Sequence, residues 1–148
     1  MTRFENELAV WETQTDDYVA GAAWSFDSRL VYAASSAGHF YMYEAPSGKP
    51  VFSEQISTEG INAIAVSPVA HQIAIAGKDG KIQLRHGETG QLTKTLEGSA
   101  LWVEHVAWSA DGQHLATAAG KTLRLWTTGG ELAFEYREFA STISALFW

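Results

Sequence analysis

Three stretches of this chain can be stacked so that unrelated columns keep a single spacing. Val19, Ile61, Val103 and Ile143 fall in one column at intervals of 42, 42 and 40. Ser25, Ser67 and Ser109 form a second column at 42 and 42, and Gly48, Gly90 and Gly130 a third at 42 and 40. The shortening falls between Ser109 and Gly130, partly in the tighter turn "AAGKT". Three columns sharing one interval define a true repeat, and a repeat of this length commits the chain to stacked units. The ends join the pattern as well. Glu7 to Trp24 aligns on Glu131 to Trp148 without a gap, at an offset of 124.

Within each unit the apolar residues alternate with period two over four short runs, which is the signature of strands. In the third unit these are "VEHVAW", "HLATAA", "TLRLW" and "ELAFEY", joined by "SADG", "AGK" and "TTGG". The joints carry the residue types that tight turns require. The chain has three prolines, at 46, 50 and 68, each in or beside a turn or at a strand start. The reading is all-β, and a four-stranded antiparallel unit of about 40 to 45 residues has the size of one propeller blade.

These residues resemble the WD40-repeat β-propeller family, and "VAWSADGQHLATAAGKTLRLWTTGG" is similar to its run of inner strand, serine turn, second strand and Trp-ending third strand. The resemblance implies an arc of a propeller: three complete blades at about 19–56, 61–96 and 103–137, an N-terminal outer strand at about 7–14 and a C-terminal inner strand at 143–148. The motif is degenerate. The family's Trp-Asp pair reads Trp126-Thr127, Arg85-His86 and Tyr43-Glu44, its turn Asp survives only as Asp79, and Ser99 stands in the His slot. The family's His-Asp hydrogen-bond network is therefore incomplete in every blade, leaving apolar packing to hold the blades together.

Charge and motif content exclude several chemistries. Ten Lys and Arg against seventeen acids, a net charge of −7, do not supply the basic field that nucleic acid or an anionic membrane requires. No apolar run approaches the roughly 20 residues of a membrane-spanning helix. The start "MTRFENELAV" has acids where a signal peptide needs an apolar stretch, and the chain has no cysteine, so a cytoplasmic location is expected. No nucleophile elbow, phosphate loop or zinc-helix motif is present, and "GKDGK" (Gly77 to Lys81) lacks the helix that would make it a phosphate cradle. The histidines at 39, 71, 86, 105 and 114 do not recur at ligand spacing, and Asp16-Asp17 reads as a solvated loop. No cofactor or metal is expected, and the protein is expected not to be an enzyme. The competing reading, a propeller domain of an enzyme or ligand-binding protein, would use the channel mouth, where Asn62, Glu104, His105 and Ser144 are the polar candidates.

The tryptophans separate by column. Trp24, Trp108 and Trp148 close inner strands, with Val66 as the fourth member, and are expected in the core; Trp126 is expected between blades. Trp11 stands opposite Glu135 and is less constrained. Trp102 and Tyr18 occupy the position just before an inner strand. The resemblance places that position on the face where family members bind proteins or peptides. The candidate interaction residues carried over are Tyr18 and Trp102, with Asp17, Glu59 and Lys78 around them; aromatics with a polar rim are what interface hot spots are made of. The implied function is a non-enzymatic interaction scaffold.

An arc of about three and a half blades leaves strand edges open, and closed propellers have roughly four to eight blades. A homo-oligomer or a complementing fragment is the expected completion. The candidate assembly edge is Leu8 and Val10 at one end, with Ile143, Ala145, Leu146, Phe147 and Trp148 at the other.

Overall fold

The computed structural model describes residues 10–148. Twelve strands form three four-stranded antiparallel meanders. The first blade holds β1 (Val19–Trp24), β2 (Leu30–Ser35), β3 (His39–Glu44) and β4 (Pro50–Gln55). The second holds β5 (Ile61–Val66), β6 (Gln72–Gly77), β7 (Lys81–His86) and β8 (Leu92–Glu97), and the third β9 (His105–Trp108), β10 (His114–Ala119), β11 (Thr122–Thr127) and β12 (Leu132–Tyr136). The innermost strands β1, β5 and β9 pack in sequence, so the blades stand side by side.

The serine column builds the first turn of each blade. In the first, the Ser25 N–H donates to Leu30 O at 2.9 Å, while Ser25 Oγ donates to Asp27 Oδ1 at 2.7 Å and accepts from the Leu30 N–H at 2.9 Å. Ser109 repeats the arrangement with Asp111 (2.6 Å) and the His114 N–H (3.0 Å). Ser67 keeps the backbone bond, to Gln72 O at 2.9 Å, but its Oγ accepts only from the Val69 N–H at 3.4 Å, because Val69 stands where the other blades have the acid. These bonds anchor exposed turns on buried serines and give their backbone donors partners.

Strand alternation gives the second blade two apolar faces, one toward each neighbour. Tyr32, Ala34, Phe40 and Met42 of the first blade meet Ile61, Ile73 and Ile75 of the second. On the second blade's other face, Ala74, Ala76, Ile82 and Leu84 meet Val106, Trp108, Leu115 and Trp126 of the third. Burying each large apolar side chain contributes about 1.5–3 kcal/mol, so these two layers carry the stability. Tyr32 adds a buried hydrogen bond across the first interface, its hydroxyl donating to Gly87 O at 2.8 Å. Burial pushes its phenol up to about 12.

A glycine socket recurs at each third hairpin. Gly48, Gly90 and Gly130 have φ of +68°, +73° and +77°, a region costly for any residue with a Cβ. Their open side receives a neighbour: a Cβ at Gly90 would lie 2.6 Å from the Phe52 ring, and one at Gly130 2.6 Å from Leu96. Phe52 and Leu96 come from the outer strand of the preceding blade. At Gly48 the occupant is Trp11, 2.7 Å from the same construction.

The two flanking strands of the expected arc do not form. Of 7–14, residues 7–9 lie outside the described residues, and Val10 to Gln14 form no strand. Ile143 to Trp148 form none either. A strand needs a hydrogen-bonding neighbour, and no further middle strand is available to either segment among the described residues. Both instead lie against the outer blades. Trp11 Nε1 donates to Ala45 O at 2.6 Å and its ring tilts on Tyr43 at 5.7 Å. Asp16, expected in a solvated loop, is pinned by His39 Nδ1 at 2.7 Å and by the Tyr41 hydroxyl at 2.9 Å. Hydrogen bonds to Ser35 first, then to Tyr41 and His39, hold its carboxyl below the usual range. At the far end the Ile143 N–H donates to Gly120 O at 2.8 Å, as the Val103 N–H does to Gly77 O at 3.2 Å one blade earlier.

The core expectation for the inner-strand tryptophans is corrected in two of three cases. Trp108 is buried, but Trp24 and Trp148 are 59% and 58% exposed. The second blade covers Trp108; among the described residues no blade stands against the corresponding face of the first, and Trp148 stacks on His114 at 6.4 Å.

Candidate functional site

The loops entering the inner strands and the turns between second and third strands share one end of the blades, and hydrogen bonds tie them into a strip. On the first blade, the Ser36 N–H donates to Tyr18 O (2.7 Å) and Ser36 Oγ to Asp17 Oδ2 (3.0 Å). Asp17 Oδ1 accepts from the Tyr18 N–H at 2.8 Å, which fixes the backbone beneath the ring. On the second, the Lys78 N–H donates to Gly60 O at 3.0 Å, placing Glu59 beside the turn. The third is reached where Lys78 Nζ lies 5.7 Å from the centroid of the Trp102 ring. Val103, next to Trp102, is anchored to Gly77, and the Leu101 N–H to Ser99 Oγ at 3.1 Å.

All five candidate interaction residues thus lie along this strip. Tyr18 is 84% exposed and Trp102 58%; the Tyr18 amide and carbonyl are hydrogen-bonded, and Trp102 sits between the anchored Leu101 and Val103. Glu59 is exposed and makes no ion pair among the described residues.

The assembly-edge candidates are scattered. Leu8 lies outside the described residues. Val10 is 80% exposed, and its neighbour Trp11 takes the socket on the first blade instead. Ile143 and Leu146 are half-buried, while Ala145, Phe147 and Trp148 are exposed.

Two of the polar channel candidates bond to backbone. Asn62 Nδ2 donates to Val103 O at 3.1 Å, and Glu104 Oε2 turns back to accept from the Gly120 N–H at 3.0 Å. His105 is half-buried and Ser144 exposed. No group of three His, Cys, Asp or Glu among the described residues is placed to hold a metal ion. What the columns did not single out is a pocket of about 260 Å³ lined by Leu101, Trp102, Glu104 and Gly120. Its floor and wall meet only once β10 folds back on β9.

Comparison with known proteins matches this geometry. The pattern of the WD domain, G-beta repeat, falls on residues 90–127. A chain of the mitotic checkpoint complex superposes with a TM-score of 0.79 at 19% identity, over 90% of this chain and 41% of that one. The WD40 repeats of RRP9 superpose with a TM-score of 0.84 at 12% identity, over 91% and 43%. The chain thus carries one matched WD repeat and shares the fold of WD40 propellers. Two curated relatives align in sequence. Periodic tryptophan protein 2 homolog of Dictyostelium discoideum is 26% identical over 123 residues, 80% of this chain and 13% of that protein. Actin-interacting protein 1 of Drosophila melanogaster is 33% identical over 99 residues, 64% of this chain and 16% of that protein. The chain therefore spans a small part of either relative.

The WD40 frame explains how the degenerate repeats still hold. In the third blade the motif tryptophan keeps a partner: Trp126 Nε1 donates to Thr117 Oγ1 at 3.0 Å, both buried. In the second, Arg85 takes that column and stays buried. Its Nη1 donates to Glu54 of the first blade (2.8 Å) and to Gly90 O (2.7 Å), and its Nε to Gln83 (2.9 Å). In the first, Tyr43 packs on Trp11. Asp79 accepts only from the Lys81 N–H, at 3.1 Å, so the surviving turn aspartate serves its own hairpin.

Proposed function

We propose that this chain is a WD40 interaction module that holds a protein or peptide partner on the strip running from Tyr18 and Asp17 through Glu59 and Lys78 to Trp102. The observation that carries the reading is the pairing of exposed aromatic rings with hydrogen-bonded backbone. Such rings present large contact area with little left to order on binding. Two comparison proteins, one named for interacting with actin and one a component of a checkpoint complex, belong to the same class of use. The reading is non-enzymatic: Asn62 Nδ2 and one oxygen of Glu104 are engaged by neighbouring backbone, and Glu104 is left with a single free oxygen suited to binding. A cytoplasmic location fits it; no helix among the described residues is long and apolar enough to cross a membrane.

The test is capture by the immobilised protein, with mass spectrometry of what is retained. Trp102→Ala and Tyr18→Ala should each lose the partner that the wild type retains, with unchanged circular dichroism. Retention by both variants would sink the reading.

Completion by further WD40 blades, from a second copy or a complementing fragment, is the second part of the proposal. It is favoured by the exposed Trp24 on the first blade and by Phe134 and Tyr136 on the third. Light scattering should find a mass above that of one chain, alone or with a fragment supplying blades. A stable monomer under both conditions would rule this out.

A further inference from the structure

We infer that the pocket beside Trp102 receives a single lysine or arginine side chain from the partner, an inference that rests on the interaction-face reading above. Its volume of about 260 Å³ corresponds to roughly nine water molecules at ~30 Å³ each, room for one long side chain. Leu101 and the Trp102 indole form apolar walls suited to an alkyl stem, and both are exposed at the mouth. The half-buried Glu104 carboxylate supplies the charge. Its Oε2 is fixed by the Gly120 N–H at 3.0 Å, while Oε1 has no hydrogen-bond partner among the described residues. No cation pairs with Glu104 among those residues, Lys121 next to Gly120 included.

An indole face beside a carboxylate with a free oxygen selects for positive charge. The ring's quadrupole attracts a cation, and the carboxylate accepts its N–H groups in a charge-assisted bond. An anionic side chain would meet Glu104 with no compensating cation within the pocket. The protein already shows half of this recognition within itself, since Lys78 Nζ sits over the same indole at 5.7 Å. Lys78 reaches the ring but not the carboxylate. Lys78 does not line the pocket, so an incoming guanidinium or ammonium takes the pocket side of the indole and gains Glu104.

The experiment uses the whole chain, ¹⁵N-labelled, and three blocked pentapeptides of alanine with a central arginine, lysine or citrulline. The Trp102 indole N–H and the Gly120 amide report binding. The arginine and lysine peptides should shift both resonances saturably, and the uncharged citrulline peptide should not. Glu104→Gln should weaken the arginine peptide about tenfold with the spectrum otherwise intact. Lys78→Met should tighten it by about threefold, because it removes a like charge from beside the indole. Equal binding of citrulline, an unchanged affinity in Glu104→Gln, or weaker binding in Lys78→Met would each overturn the inference. If partner capture depends on Trp102 but not on Glu104, the interaction face stands and the cation pocket falls. If Trp102→Ala leaves capture intact while the arginine peptide still binds the wild type through Glu104, the pocket stands and the face reading falls.

Discussion

Replacing Thr117 with valine keeps the side chain's volume and removes one oxygen. That oxygen is the acceptor for Trp126 Nε1 at 3.0 Å, and both residues are buried between the second and third blades. The indole N–H then has no water to turn to. Leaving a buried donor unpaired costs about 1–3 kcal/mol, and the added methyl returns at most about 0.8 kcal/mol by transfer. The net loss is about 1–2 kcal/mol. With a urea slope of about 2 kcal/mol/M for a protein of this size, the unfolding midpoint should fall by about 0.5–1 M. Tryptophan fluorescence reads the transition. Trp126→Phe loses the donor and some packing, and the double variant should cost about 1 kcal/mol less than the sum of the single ones. Trp108 supplies a contrast within the same layer, because its Nε1 is buried with no partner in the wild type. Trp108→Phe should therefore cost only its lost packing. If Thr117→Val unfolds at the wild-type midpoint, or if the cycle is additive within about 0.3 kcal/mol, the hydrogen bond does not hold this blade as argued.

Gly90→Ala combines a positive φ with a clash on the Phe52 ring and should destabilise by about 1–3 kcal/mol in thermal or urea unfolding. Gly48→Ala meets Trp11 instead, so its main effect should be release of that indole, read as a red shift in tryptophan emission with a smaller loss of stability. Acid should weaken the fold through the serine turns. Hydrogen bonds from Ser25 and Arg29 hold the Asp27 carboxyl well below its usual range, and hydrogen bonds from Ser109 and the Gln113 N–H lower Asp111. Groups with depressed folded-state values stabilise above their unfolded pKa of about 3.9 and lose that contribution as pH falls through the folded one. The double variant Asp27→Asn, Asp111→Asn should thus show a flatter decline in urea midpoint below about pH 4 than the wild type, and an identical slope would refute the assignment.

The repeat columns were enough to place the twelve strands of the three blades, though not the two flanking segments, because register within a blade depends on local alternation. Ser25 and Ser109 sit where the columns put them, and their acids two residues later complete the turn. What sequence could not show depends on neighbours distant along the chain. Trp24 and Trp108 share a column, yet one is exposed and the other buried, since only one has a blade against it. Asp16 reads as loop until His39 and Tyr41, 23 and 25 residues on, are brought beside it. Gap-free alignment sets Val10 on Phe134, but Trp11 fills the socket, a slip of one residue that exchanges faces. At the candidate site, Tyr18 and Trp102 were legible as odd residues in a column. The contact of Lys78 with Trp102 and the pocket over Glu104 were not, because they join separate blades and separate strands.

The glycine sockets also set the terms on which anything can join the first blade. Gly90 and Gly130 are filled from the preceding blade, whereas Gly48 is filled by an indole from a segment without strand pairing. A body approaching that face does not meet an empty seat. It must evict Trp11, breaking the bond to Ala45 and re-exposing the part of a half-buried indole that the socket covers. Docking there is an exchange of one plug for another, so its affinity measures the difference between two occupants and not the attraction of one.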